Sequence, residues 1–119
     1  MEIFGFRDWS VYKDAKDLFG LSIRISNRLP AEYRHSIVDQ LIRASLSVAL
    51  NIAEGSGRGT KREFNRFLDI AVGSLNETFA ILDVLRDLKS IKDSDYQEAV
   101  NLSLSISKQL GGFKRSLRK

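Results

Sequence analysis

Apolar side chains recur along this chain at alternating steps of four and three residues, and a single proline interrupts them. That spacing keeps side chains on one flank of an α-helix and is incompatible with strands, whose period is two. Val11, Ala15, Leu18, Ser22, Ile25 and Leu29 make a first stripe, and Pro30 ends it because proline disfavours helical geometry in the residue before it. The pattern predicts a helix over about 8–29. A second helix is expected over about 33–54, with Ile37, Leu41, Ala44, Val48 and Ile52 on one stripe and Val38, Ile42, Ser45, Ala49 and Ala53 beside it. A third is expected over about 61–88. Its main face is Phe64, Phe67, Leu68, Ala71, Leu75, Phe79, Leu82 and Leu85, flanked by Ile70, Ser74, Glu77, Ile81, Val84 and Leu88. A fourth is expected over about 94–117 on Tyr96, Ala99, Ser103, Ile106, Leu110, Phe113 and Leu117, opened by Ser94 as N-cap and loosened near its end by Gly111 and Gly112.

The connectors are short, so successive helices should run antiparallel. The expectation is an all-α, single up-down-up-down antiparallel four-helix bundle over 1–119. Hydrophobic residues are 43% of the chain and charged residues 29%, an ordinary globular balance. A small bundle has limited interior, yet helices 2 and 3 are apolar on broad faces, which favours self-association over a merely well-filled monomer core. Beside the stripes of helix 2 runs a polar line of Gln40, Arg43, Ser47, Asn51 and Glu54, and Gly73 and Ser74 in helix 3 would admit a close neighbour.

The glycine-bearing stretch NIAEGSGRGTKREF (51–64) has the look of a phosphate loop. A Walker loop needs lysine followed by serine or threonine after a strand; here Thr60 precedes Lys61 and a helix leads in. The stretch reads instead as a corner. Gly55 would close helix 2 in the left-handed conformation. Thr60 and Glu63 match a reciprocal capping box at the start of helix 3. The corner still gathers Arg58, Lys61 and Arg62 near a helix N-terminus, which favours anions.

Other chemistry finds little support. There is no cysteine, hence no thiolate site or disulfide, and with no signal-peptide pattern or apolar span the expected location is cytoplasmic, without membrane contact. His35 is the only histidine. Glu32 and His35 have the Glu-x-x-His spacing of di-iron bundles, but a second such pair is missing, so no metal and no cofactor are expected. Arg43 and Glu77, each among apolar residues, are expected to be partly buried and to meet as an ion pair. Trp9, Phe4 and Phe6 are expected to pack over the bundle end. Net charge is +4, and the excess lies toward the C-terminus, where Lys108, Lys114, Arg115, Arg118 and Lys119 outnumber Asp95 and Glu98. A basic end either solubilises the chain or attracts a polyanion.

Several motifs resemble one family. Leu29–Tyr33 is similar to its "FP-x-E" corner, Gln40–Arg58 to its "Q-x-R-R-A-x-x-S-I-x-x-N-I-A-E-G-x-G-R" signature, and Phe67–Glu77 to its "F-L-x-I-A-x-G-S-x-x-E" motif. Ile42 stands where an arginine is frequent and Ala49 where a proline is frequent, so a helix 2 kink is not carried over. The family is that of the 23S rRNA-intervening sequence proteins, four-helix bundles that include accessory variability proteins of diversity-generating retroelements. The resemblance implies a bacterial, non-enzymatic homopentameric ring, with relatives that bind a reverse transcriptase and nucleic acid through a basic surface. Arg43, Ser47, Asn51, Glu54, Gly55, Arg58, Gly73, Ser74 and Glu77 match its pattern and are expected to serve packing, turns and assembly.

Together these readings point to a small non-enzymatic oligomer, partnered with itself and with RNA or DNA or an RNA-handling protein such as a reverse transcriptase. Candidate nucleic-acid contacts are Arg58, Lys61, Arg62, Arg66, Lys108, Lys114, Arg115, Arg118 and Lys119. The alternative is a purely structural or protein-interaction oligomer with no affinity for nucleic acid.

Overall fold

The computed structural model describes residues 3–118, so Lys119 lies outside the described residues. Four α-helices carry the fold: α1 (Ser10–Arg28), α2 (Asp39–Ser56), α3 (Lys61–Asp87) and α4 (Asp93–Ser116). Among the described residues there is no strand. Each helix packs on its neighbours in sequence, and α4 returns to α1, giving an antiparallel bundle about 45 Å long and 23 by 22 Å across. None of the helices is long and apolar enough to cross a membrane.

The apolar stripes meet along the axis as two contiguous clusters. Val11, Ala15, Leu18, Val48, Ile52, Leu68, Leu75, Ile106 and Leu110 fill one half. Leu21, Ile25, Leu41, Leu82, Leu85 and Ala99 fill the other. Three of the hydroxyls that fall on these stripes turn back to their own helix, while that of Ser103 on α4 is buried without a partner. Ser22 donates to the Leu18 carbonyl, Ser45 to Leu41 and Thr78 to Ser74, so they are buried without an orphaned donor. Between α1 and α4, Asp14 accepts from Ser105 (2.8 Å) and Gln109 (2.9 Å).

The helix ends show where local rules act and where they do not. Leu29 is extended (φ −77°, ψ 151°) before Pro30, as the proline requires. The entry to the second helix is not regular α-helix: a 3₁₀ turn (Ala31–Tyr33) and a π-helical turn (Arg34–Val38) precede Asp39. Ser94 is not the cap of α4. Lys92 takes the extended cap position, and Asp93 and Asp95 place negative charge in the first turn, where the helix dipole favours it. Gly111 and Gly112 do not end the helix, which continues to Ser116. Beyond α3, Lys89 adopts φ 57°, and the amides of Lys89 and Ser90 bond back to the carbonyls of Arg86 and Leu85. This is a Schellman closure with lysine in glycine's usual place.

The two broad faces differ in outcome. Both stripes of α2 are largely covered within the chain, since α1 and α3 flank it. The second face of α3 is not: Ile70, Glu77, Val84 and Leu88 are exposed.

Candidate nucleic-acid interface

The corner between α2 and α3 is built by close approach. Gly55 is buried inside α2, and no described glycine has positive φ, so it does not close the helix in the left-handed form. Its role is steric: a Cβ there would stand 2.9 Å from Phe64 Cδ1 and 2.9 Å from Phe67 Cβ. α3 therefore crosses over α2 at Gly55, and the chain turns through Gly57–Thr60. The Thr60 hydroxyl accepts from the Glu63 amide at 3.1 Å. The reciprocal half of the capping box is absent. Glu63 instead receives Arg66 at 3.1 and 3.3 Å, and this bond, aided by nearby Arg58 and Arg62, holds its carboxyl below the usual range.

The candidate cations divide into committed and uncommitted groups. Arg58 pairs with Glu54, and Arg66 with Glu63. Both guanidiniums also lie over the Phe67 ring, 4.6 and 4.5 Å from its centroid. Phe67 thus anchors two arginines from opposite sides of the corner through cation–π attraction. Lys114 pairs with Asp69 across the α3–α4 seam. Arg62, Lys108, Arg115 and Arg118 make no ion pair among the described residues. The Arg115 guanidinium lies back over Gly111 and Gly112, at ordinary contact distance from where a Cβ would stand at either.

An aromatic cluster brings the separate basic segments to one end. Trp9, before α1, stacks on Phe64 of α3 at 6.1 Å and packs on Phe113 of α4 at 5.0 Å. The start of α1, the α2–α3 corner and the end of α4 are therefore one end of the bundle. Arg58, Lys61, Arg62 and Arg66 gather there with Lys114, Arg115 and Arg118. Lys108 lies about 10 Å up α4 from Arg115, at 1.5 Å per residue. Arg7 joins them from the 3₁₀ turn Gly5–Asp8, which the sequence offered no reason to select. Against these stand Asp8, Glu54, Glu63 and Asp69. Phe6 packs on Tyr12, while Phe4 stays about half exposed.

The remaining candidates lie along the α2–α3 pair. Ser47 and Ser74 share a hydrogen bond of 2.8 Å, and Asn51 donates to Ser47. Gly73 is exposed, with open space where a Cβ would stand, so no helix of this chain approaches it closely. Arg43 and Glu77 are both exposed and do not form the expected ion pair; the apolar neighbours that flank them in sequence point inward while they point out. Glu32 and His35 sit exposed at the far end, and no three metal-ligating side chains gather among the described residues.

The fold and this end define a small all-α bundle with a cationic cap. The family model of 23S rRNA-intervening sequence proteins matches residues 7–112, and the chain belongs to that family. No curated protein gives a significant match. A crystal structure of a protein with unknown function from the S23 ribosomal protein family of Bacteroides thetaiotaomicron VPI-5482 is similar, with a TM-score of 0.80 and 24% identity over 87% of this chain and 97% of that one. At that identity the likeness speaks to the fold.

Proposed function

We propose that this chain is a non-enzymatic cytoplasmic binding protein that assembles into a homopentameric ring and engages the phosphate backbone of RNA, alone or with an RNA-handling partner such as a reverse transcriptase, through its cationic end. The observation that carries this reading is the convergence, through Trp9, Phe64 and Phe113, of the corner cations with those ending α4. Arg62, Arg115 and Arg118 are its principal contacts, because none of them forms an ion pair among the described residues. Arg58, Arg66 and Lys114 shape the surface instead. The aromatic residues of this end are largely packed on one another, which favours phosphate contact over base stacking.

The test is RNA binding by fluorescence anisotropy across a salt series. Phosphate-dominated binding falls steeply with salt, with a log–log slope of about −0.7 to −0.9 per contact. The triple variant R62A/R115A/R118A should bind more weakly and with a shallower slope. Absence of binding at low salt, or a slope that the triple variant leaves unchanged, overturns the reading. The second reading, a protein-only oligomer, draws support from the neutralised state of Arg58, Arg66 and Lys114 and would be favoured by that negative result.

A further inference from the structure

Most of the large apolar side chains left exposed among the described residues lie on one side of the bundle. Leu46 and Leu50 project from α2, and Ile70, Val84 and Leu88 from α3 and its cap. Leu50, Val84 and Leu88 are each 55% exposed. With Arg43 they form a stripe at steps of three and four on α2, and with Gly73 and Glu77 a parallel stripe on α3. A groove of about 280 Å³ opens on the same side, walled by Ile37, Ile81, Val84 and Glu77. Exposed apolar side chains gathered on one side in this way suit an interaction surface.

The charges on this side identify the occupant. The Ser47–Ser74 bond fixes the register of the two helices. Arg43 lies four residues before Ser47 and Glu77 three residues after Ser74. In antiparallel helices both are displaced the same way from that bond, by about 6 and 4.5 Å at 1.5 Å per residue. They stand at one level, opposite in charge, exposed, and without an ion pair in their own chain. A second copy supplies both the complementary charge and the complementary apolar stripe.

We propose that copies of this chain dock through the outer face of α2 and α3, with Arg43 of one copy pairing with Glu77 of the next. Apolar contact supplies the affinity, and the charge pair sets partner and register. This rests on the self-association part of the proposed function and not on RNA binding.

The test is light scattering of R43E, E77R and the double variant R43E/E77R. Each single variant places like charges together and should weaken association by about tenfold or more. The double variant restores opposite charges and should recover the wild-type mass. Both positions are exposed, so circular dichroism should report an unchanged fold. Single variants that keep the wild-type mass, or a double variant that does not recover it, overturn this interface while leaving assembly itself in place. A wild-type chain that stays monomeric at high micromolar concentration overturns the assembly reading and this interface with it. RNA binding, measured separately at the cationic end, is decided by neither outcome.

Discussion

The hydroxyls of Ser47 and Ser74 meet at 2.8 Å across the α2–α3 seam, and Asn51, one turn along α2, donates to Ser47 at 2.9 Å. This short polar chain sits within an otherwise apolar contact and admits one register. Ser47→Ala removes a partner from both Ser74 and Asn51 in a half-buried setting, which should cost about 1 kcal/mol. Ser74→Ala should cost about as much. The double variant should cost less than the two together, because the shared bond is lost once. Urea denaturation of the three variants measures this; strictly additive costs would mean that the two hydroxyls do not interact.

Gly55 carries the corner. A methyl at this position meets the Phe64 ring and the Phe67 Cβ at 2.9 Å, and Phe67 Cβ is held as firmly as the α3 backbone that bears it. Gly55→Ala should therefore destabilise by about 1–3 kcal/mol, the usual cost of overpacking. Gly57→Ala is the control: its added methyl would meet only the Glu54 carbonyl, at an ordinary 3.7 Å. A small effect at Gly57 with a large one at Gly55 locates the constraint in helix crossing and not in loop flexibility.

Gly55 also shows what was legible before the fold was known. Glycine near a helix end, followed by a second capping signal, pointed to a corner, and the corner is there. The conformational reason was mistaken, because a left-handed cap and a close crossing both demand glycine and a linear sequence does not tell them apart. The helical stripes were readable because burial on one flank leaves a periodic trace. Arg43 and Glu77 were misplaced because flanking leucines and alanines say which residues are near in sequence, not which way a given side chain points. The joining of the corner cations with those of α4 depends on Trp9, Phe64 and Phe113 meeting across more than a hundred residues of chain, which no local pattern records.

Lys89 holds φ 57° where α3 closes. For a residue with a Cβ that region costs roughly 1–2 kcal/mol, and glycine escapes the cost while losing more freedom on folding. Lys89→Gly should stabilise the chain by about 0.5–1 kcal/mol net, with the Schellman bonds to Arg86 and Leu85 retained. Thermal denaturation checks this. A loss of stability would show that the Lys89 side chain contributes more than its backbone costs.

The Glu63 carboxyl is held below its usual value by Arg66, with Arg58 and Arg62 acting in the same sense. A carboxylate with a depressed folded pKa binds fewer protons folded than unfolded. Its contribution is present in full above about pH 4.5, the unfolded value, and is lost as pH falls from there through the lower folded value. Glu63→Gln should therefore leave stability less dependent on pH below about 4.5, with a smaller difference from wild type at lower pH than at neutral pH. An acid limb identical in the two proteins would mean that the pair is too well solvated to matter, the common fate of exposed ion pairs.

Gly73 separates the chain from its assembly. It lies in the middle of α3, exposed, with open space where a side chain would stand. Glycine inside a helix costs roughly 0.5–1 kcal/mol relative to alanine. Within one chain nothing compensates that cost, so Gly73→Ala should raise the urea midpoint measured at dilute concentration, where copies are apart. Between Ile70 and Glu77 the same methyl would stand on the face proposed to receive a second copy, and there it should weaken association seen by light scattering. Stability and assembly should thus move in opposite directions in one variant. If alanine stabilises the chain and leaves its assembled mass unaltered at all concentrations, the gap at Gly73 is not filled by a neighbouring copy, and the α2–α3 outer face loses its closest point of approach.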